Sequence, residues 1–290
     1  MTTDADRRGF SVRVFLPDGD PDGVKVIEKS NWTGCGVVIP RATFGEAKSR
    51  PELDHTGVYI LVGPSEAAAL PRAYVGEGDP VRHRLETHAK QKDFWTHAVI
   101  FTSKDQNLNK AHVQRLEARL VELAKLSKQC ILENANVPQA PSLSEADTAE
   151  VESFLDDLLL CLPILGYGFF EAAPAAAGST VQFVLKAKGI EARGFESAKG
   201  FVVHAGSQAV KDDKEAPSIH TYLKETRAEL VRQGVLVDRG RLYELSQNYT
   251  FSSPSTAAGV LLGRSSNGRV EWKTTDGQTL KNIQDTQTSA

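Results

Sequence analysis

The sequence predicts an α+β protein with more than one domain. A chain of 290 residues is long enough for about two domains, each with its own core. Between residues 56 and 128, apolar runs and helical periodicity follow the order strand, strand, helix, strand, helix. Two linker-like stretches then precede a further mixed region. We therefore expect a small three-stranded antiparallel sheet flanked by helices, a β-rich N-terminal extension, and a separate mixed α+β C-terminal domain.

The β-rich extension is predicted over residues 1–50. Residues 11–39 alternate or run apolar, and a turn rich in Pro, Asp and Gly over residues 17–23 separates the first two apolar groups. Alternating apolar residues bounded by such turn residues are typical of short strands.

The central domain is predicted over residues 51–136, and its helices have recognisable starts. Pro80 suits the first turn of one helix, and Asn109 can cap the next one. The predicted strands cover residues 56–63, 72–76 and 94–103, and the predicted helices cover residues 80–91 and 110–128.

A linker with an acidic helix is predicted over residues 137–179, and an accessory domain over residues 180–290. Ser144 and Asp147 form an acidic variant of the capping box, and they begin a helix that runs to about Leu162. The accessory domain is predicted to hold strands at residues 181–187 and 199–205 and a helix at residues 218–233.

Cysteine usage and hydropathy favour a cytoplasmic protein that has no membrane partner. The three cysteines, Cys35, Cys130 and Cys161, are far apart and form no CxxC pair, which argues against a disulfide framework or a zinc site. The N-terminus has no apolar signal core. The most apolar run, residues 158–165, is far shorter than the roughly 20 residues that a spanning helix needs.

The charge distribution is more informative than the formal net charge of −3. Residues 82–128 hold ten Lys or Arg and five Asp or Glu, whereas residues 129–185 hold no Lys or Arg and eight acidic residues. A basic region is the electrostatic requirement for binding phosphates of a nucleic acid. The alternative is a solvated basic helix face beside an acidic one.

Two tyrosines lie in short glycine-containing motifs, Gly57-Val58-Tyr59 and Tyr74-Val75-Gly76. Because side chains alternate along strands, two adjacent strands can present both phenols on one face. A phenol with a pKa of about 10 acts as a general base only if nearby cations lower that pKa or a metal ion activates the water. The alternative for either tyrosine is packing.

Arg84 and His88 are four residues apart on the predicted helix, so they share a face. A guanidinium can bind a phosphate through two hydrogen bonds and stabilise charge in the transition state. His88 can position a water, receive a proton or contact nucleic acid. The alternatives are a solvated arginine and a structural histidine.

Glu117 lies within the apolar arc of its predicted helix, between Val113 and Val121. A carboxylate directed at a core is costly unless it is paired or binds a metal ion. Mg²⁺ is satisfied by one carboxylate together with waters and phosphate oxygens. The alternative is a salt bridge to Arg84 or a position at the edge of the apolar face.

The two tripeptides, the arginine and the glutamate occur in an order and at a spacing that resembles the GIY-YIG nuclease family. The resemblance implies a β-β-α-β-α nuclease domain over residues 51–136, with Tyr59, Tyr74 and Arg84 as catalytic residues and Glu117 as the metal ligand. The region over residues 249–280 resembles a small domain of unknown function that is often attached to such nucleases in bacteria.

The resemblance bears on three further positions. A histidine near the position of His88 occurs in some members. Asn134 matches an asparagine that follows the helix and helps to hold the site, with Asn136 as the alternative match. Many members have a lysine or serine where this chain has Glu77, and an added carboxylate near a phosphate site bears on substrate preference and on activity.

We therefore expect a metal-dependent endonuclease that hydrolyses phosphodiester bonds in DNA and uses Mg²⁺ or Mn²⁺. The alternative is a catalytically inactive nucleic-acid or protein interaction module that retains the fold. Protein partners can bind through the C-terminal domain. The expected site residues are Tyr59, Tyr74, Arg84, His88, Glu117 and Asn134, with Glu117 holding the metal ion.

Overall fold

The computed structural model describes residues 9–66, 69–178, 180–211 and 219–288, and it confirms the mixed α+β class. Parts of every predicted region therefore lie outside the described residues: residues 1–8, 67, 68, 179, 212–218, 289 and 290. The chain forms two compact units. Unit 1 comprises the chain up to Pro64 and from Pro71 to Glu171, and unit 2 comprises residues 65–70 and the chain from Ala172 onward.

Unit 1 is built on one seven-stranded sheet. Its strands are β1 (Val12–Phe15), β2 (Lys25–Lys29), β3 (Gly34–Pro40), β4 (Gly57–Gly63), β5 (Arg72–Gly78), β6 (His97–Ser103) and β7 (Ile131–Leu132). They lie in the order β1-β2-β3-β6-β4-β5-β7. All neighbouring strands are antiparallel except β5 and β7, which are parallel.

The predicted three-stranded sheet is smaller than the observed one, because the N-terminal strands continue it. β3 pairs with β6 along its full length, from Gly34 opposite Ser103 to Pro40 opposite His97. Without β3, the edge of β6 would expose a row of unpaired backbone groups. Residues 12–40 are therefore part of the same sheet as β4, β5 and β6.

Helices cover both faces of this sheet, which explains why β4 is buried at all seven of its positions. The helices of unit 1 are α1 (Phe44–Ala47), α2 (Val81–Gln91), α3 (Lys110–Ser127) and α4 (Glu145–Ile164), and short 3₁₀ turns cover Arg41–Thr43, Pro51–Asp54 and Gly168–Phe170. Val58 and Ile60 face one core, which α3 and α4 complete. Tyr59 and Leu61 face the other core, to which α1 and α2 contribute.

Side-chain caps fix the start of the two long helices as the sequence predicts. The side chain of Asn109 accepts the backbone N–H of His112 at the start of α3, and Ser144 accepts the backbone N–H of Asp147 at the start of α4. Glu152 of α4 also forms ion pairs with arginines of α3. The predicted acidic helix is therefore packed against α3 within unit 1.

Unit 2 contains two small antiparallel sheets, in the orders β14-β10-β9-β8 and β11-β13-β12. Its strands are β8 (Phe183–Ala187), β9 (Ile190–Ser197), β10 (Gly200–Val203), β11 (Gln208–Ala209), β12 (Leu236–Asp238), β13 (Tyr243–Leu245) and β14 (Tyr249–Phe251), and its helices are α5 (Thr221–Arg232), α6 (Pro254–Leu262), α7 (Gly268–Glu271) and α8 (Leu280–Thr288). The buried guanidinium of Arg227 donates hydrogen bonds to the carbonyls of Val210 and Val260.

The longest described helix, α4, carries acidic residues along most of its length. Among the helices in the described ranges, none is both long enough and apolar enough to cross a membrane.

Candidate active site

The β4–β5 hairpin brings Tyr59 and Tyr74 onto one face of the sheet. Tyr59 is opposite Gly76 and Leu61 is opposite Tyr74 in the register, so the two tyrosines are diagonal neighbours. Their ring centroids are 6.4 Å apart. The glycine is required at this place, since a Cβ on Gly76 would lie 2.5 Å from the Tyr59 ring carbon that bears the hydroxyl.

His88 of α2 packs against both phenols. Its Nε2 is 2.8 Å from the Tyr59 hydroxyl, and its ring is 5.0 Å from that of Tyr74, edge to face. Burial, together with the charges of Lys92 and Arg84, lowers the pKa of His88 to about 4. The ring is therefore neutral at pH 7, and its Nδ1 is buried without a hydrogen-bond partner among the described residues.

The two tyrosines differ in their access to solvent. Tyr59 is 0 % exposed, and burial, with a further effect of Tyr74, raises its pKa despite the nearby charge of Arg84. Tyr74 is half-buried, and burial followed by the charge of Glu117 raises its pKa as well. Both phenols are therefore protonated at neutral pH. Tyr59 is thus closed off from solvent, whereas Tyr74 keeps part of its surface exposed.

Arg84 lies beside Tyr59, and most of its side chain is exposed. Glu117 is half-buried on α3. Burial, followed by the charge of Glu77, raises the pKa of Glu117 to about 7, against the lowering effect of Arg84 and Lys110. The charges of Arg84, Glu117 and the two tyrosines act on one another, so β4, β5, α2 and α3 bring the predicted catalytic side chains to one place. Arg84 and Glu117, both within the described residues, form no ion pair with each other.

Glu77 and Lys110 form a tight ion pair next to this group. Lys110 Nζ is 2.7 Å and 2.6 Å from the two carboxylate oxygens of Glu77. The lysine therefore neutralises the extra carboxylate that distinguishes this chain from the expected family pattern.

Asn134 holds β5 in place at the level of the tyrosines. Its Oδ1 accepts the backbone N–H of Val75 at 2.9 Å, and its Nδ2 donates to the carbonyl of Val75 at 2.8 Å. The side-chain amide thus makes the two hydrogen bonds that the backbone of a neighbouring strand would make, at a position just beyond β7. Asn136, the alternative match, is exposed. The contribution of Asn134 is to position the backbone between Tyr74 and Gly76.

Lys92 belongs to the same group, and the sequence reasoning missed it. Its ammonium lies 4.3 Å from the centre of the Tyr74 ring, within the range of a cation–π interaction. The available signal was its spacing, since Arg84, His88 and Lys92 follow one another at intervals of four residues.

The chemistry of the donor set fits a hard divalent ion at Glu117. Glu117 is half-buried, and its carboxylate forms no hydrogen bond or ion pair with a described residue. In the described ranges, no group of three or more His, Cys, Asp or Glu side chains is arranged to hold a metal ion. The expected site is of another kind, in which waters and phosphate oxygens complete the coordination of one carboxylate.

The raised pKa of Glu117 predicts a specific pH dependence of stability. Between pH values of about 4.5 and about 7, the folded protein binds more protons at this carboxyl than the unfolded chain does, so the free energy of unfolding falls as pH rises through that window. Glu117→Gln removes this fall in the free energy of unfolding, because the glutamine does not titrate. Without divalent ions, the melting temperature of the variant minus that of the wild type should therefore increase between pH 5 and pH 8. Glu122→Gln, on the exposed side of α3, is the control, and a difference that does not change with pH would contradict the assignment.

Comparison with known proteins gives one family match. A profile described as a domain of unknown function (DUF4357) matches residues 183–284, which lie inside the predicted accessory domain. No curated protein and no solved structure matches the chain.

Proposed function

We propose that unit 1 is a metal-dependent endonuclease of the GIY-YIG type, which hydrolyses phosphodiester bonds in DNA. The observation that carries this proposal is the convergence of Tyr59, Tyr74, Arg84, His88 and Glu117 from four elements. The order β4, β5, α2, β6, α3 supports it, since it follows the β-β-α-β-α order of that family.

Arg84 binds the phosphate that is cleaved. Its guanidinium is exposed and lies beside the tyrosines, so a phosphate can reach it from solvent. A guanidinium stabilises the negative charge that develops on the phosphate oxygens. Glu117 would hold a Mg²⁺ or Mn²⁺ ion, which would supply further positive charge to the phosphate and the attacking water.

Tyr74, rather than Tyr59, contacts the attacking water, because Tyr74 is only half-buried whereas Tyr59 is 0 % exposed. The water donates a hydrogen bond to the Tyr74 oxygen and is thereby oriented toward phosphorus. Tyr59 holds the His88 ring through the hydrogen bond at Nε2. When a phosphate anion offsets the charges of Arg84 and Lys92, the His88 ring becomes a better proton acceptor.

The wider assignments rest on sequence features. The excess of basic residues over residues 82–128 favours a nucleic-acid partner, and cysteine usage favours the cytoplasm. Unit 2 folds around its own core and serves as a docking module for protein partners or nucleic acid. A tethered module of this kind raises the effective concentration of the nuclease at its target.

The second candidate function is an inactive interaction module that keeps this fold. Two observations favour it: the complete burial of Tyr59, and the presence of the Glu77 carboxylate beside the phosphate site. The deciding experiment incubates the full chain with single-stranded, duplex and branched DNA and with RNA, in the presence of Mg²⁺, Mn²⁺ or EDTA. Cleavage that needs the metal ion and is lost in Arg84→Ala supports the nuclease, whereas binding without cleavage of any substrate supports the second candidate.

The two tyrosines should respond differently to loss of the hydroxyl. Tyr74→Phe should lower the cleavage rate roughly 10- to 100-fold and leave the melting temperature nearly unchanged, because its hydroxyl has no hydrogen-bond partner in the described residues. Tyr59→Phe should cost about 1–3 kcal/mol of stability, because it leaves the buried His88 without its partner. Single-turnover kinetics and urea unfolding measure both effects. Tyr222→Phe, at an exposed tyrosine, is the control, and equal stability losses in all three variants would contradict the assignment.

A further inference from the structure

One face of α2 carries a cationic side chain on each side of His88. Arg84 and His88 are one turn apart on α2, and Lys92 follows four residues later at the C-terminal end of the helix. Lys92 is the first residue after α2, and its backbone N–H caps the helix by donating to the carbonyl of His88 at 2.9 Å. The cap uses the backbone alone, so the Lys92 side chain is not needed for it.

The ammonium of Lys92 has free hydrogen-bond donors. It lies 4.3 Å from the centre of the Tyr74 ring, and it forms no ion pair or hydrogen bond within the part of the chain that the structure describes. The adjacent Asp93 is exposed and does not pair with it. Lysines on protein surfaces are usually solvated, but this one is held against the ring of a candidate catalytic residue.

The surroundings of Lys92 favour an anion. The ammonium packs on the Tyr74 ring, and that ring packs edge to face on His88 with ring centroids 5.0 Å apart. The two charges that act on His88 are both positive, those of Lys92 and Arg84. The carboxylates of Glu77 and Glu117 act on Tyr74 and on Arg84. Neither pairs with Lys92, so the ammonium has no carboxylate partner among the described residues.

We propose that Lys92 is a phosphate-binding residue of this site, which binds the phosphate next to the one held by Arg84. The Cα atoms of the two residues are roughly 12 Å apart along the helix, a span over which two long cationic side chains can bind neighbouring phosphates of one strand. The polynucleotide strand then runs from Arg84 to Lys92 past the partly exposed Tyr74. This inference rests on the proposed nuclease function for the identity of the ligand, but the anion site itself can be tested without cleavage.

The first test uses inorganic phosphate as the probe and the full chain without divalent ions. Titration should shift the NMR signals of the Tyr74 and His88 rings in the wild type. Lys92→Gln should abolish or strongly weaken these shifts, and Lys92→Arg should restore them, because arginine keeps the charge and also stacks on aromatic rings. The matched control is Lys90→Gln, which removes an exposed charge two residues away on another face of α2 and should leave the shifts unchanged.

The second test measures binding of a fluorescein-labelled DNA oligonucleotide by anisotropy, in EDTA, over a range of salt concentrations. Loss of one phosphate contact reduces the slope of log K against log salt by about 0.7 to 0.9. Lys92→Gln should show this reduction and bind roughly three- to tenfold more weakly at physiological salt, on every sequence tested. Lys90→Gln should keep the wild-type slope.

The outcomes separate the two proposals. If phosphate shifts the Tyr74 and His88 signals through Lys92 but no nucleic acid is cleaved, the anion site stands and the nuclease assignment fails. If the wild type cleaves DNA and Lys92→Gln retains both the phosphate shifts and the full salt slope, the role of Lys92 is overturned and the nuclease assignment stands. Equal effects of the Lys92 and Lys90 substitutions, or failure of Lys92→Arg to restore binding, also overturn it.

Discussion

Glu117→Gln should reduce metal-dependent cleavage on the order of 100-fold or more while leaving the fold intact. Glutamine has the shape of glutamate but lacks the charge that a divalent ion requires. The carboxylate has no ion-pair partner in the described part of the chain, so its removal leaves no charged side chain unpaired. Single-turnover cleavage with saturating Mg²⁺ measures the effect.

Two further measurements make this prediction specific. Broadening of nearby NMR signals by Mn²⁺ should be lost in Glu117→Gln, which reports on the ion rather than on turnover. Glu122→Gln, on the same helix and paired with Arg119, should behave like the wild type in both assays. Normal turnover of the Glu117 variant in Mg²⁺ would show that Glu117 is not the metal ligand.

Gly76→Ala should cost about 1–3 kcal/mol of stability and abolish the geometry of the site. The added Cβ would lie 2.5 Å from the hydroxyl-bearing ring carbon of Tyr59, and Tyr59 has no free space because it is 0 % exposed. The phenol must therefore move, and its hydrogen bond to His88 is lost. Urea unfolding measures the stability, and the pH titration of the His88 ring measures the change at the site.

The matched control is Gly45→Ala. Gly45 also lies in a regular element, α1, but a Cβ at that position meets nothing within 4 Å, so the free energy of unfolding should change by only about 0.5 kcal/mol. If Gly76→Ala is as stable as Gly45→Ala and the His88 titration is unchanged, the packing of Tyr59 on Gly76 is not what requires glycine there.

The elements of the candidate site could be predicted because each has a local signal. Asn109 begins α3 and caps it as expected, and the two glycine-flanked tyrosines lie on the adjacent strands β4 and β5. Glu117 was recognisable because it is a charged residue within the apolar arc of a helix. The burial that this arc implies also raises its pKa. Apolar periodicity and caps act over a few residues, so the sequence displays them directly.

Long-range pairing could not be predicted in the same way. The registration of β3 against β6 joins segments that are far apart in sequence, and an apolar strand does not specify which neighbour it takes. For the same reason the sequence did not distinguish the fully buried Tyr59 from the half-exposed Tyr74. Strand β9 and helix α6 were also not predicted; α6 is apolar around most of its circumference and therefore lacks a helical stripe.

The hydrogen bonds of Asn134 have a consequence for folding order. They join the backbone of Val75 to a side chain 59 residues later in the chain, so the stretch of β5 that carries Tyr74 is complete only after α3 has docked. Contacts of such long sequence separation form late, because a long loop must close first. The β4–β5 hairpin can therefore form early, while the finished site is a product of the last steps. Hydrogen exchange at the Val75 amide would report when that assembly opens.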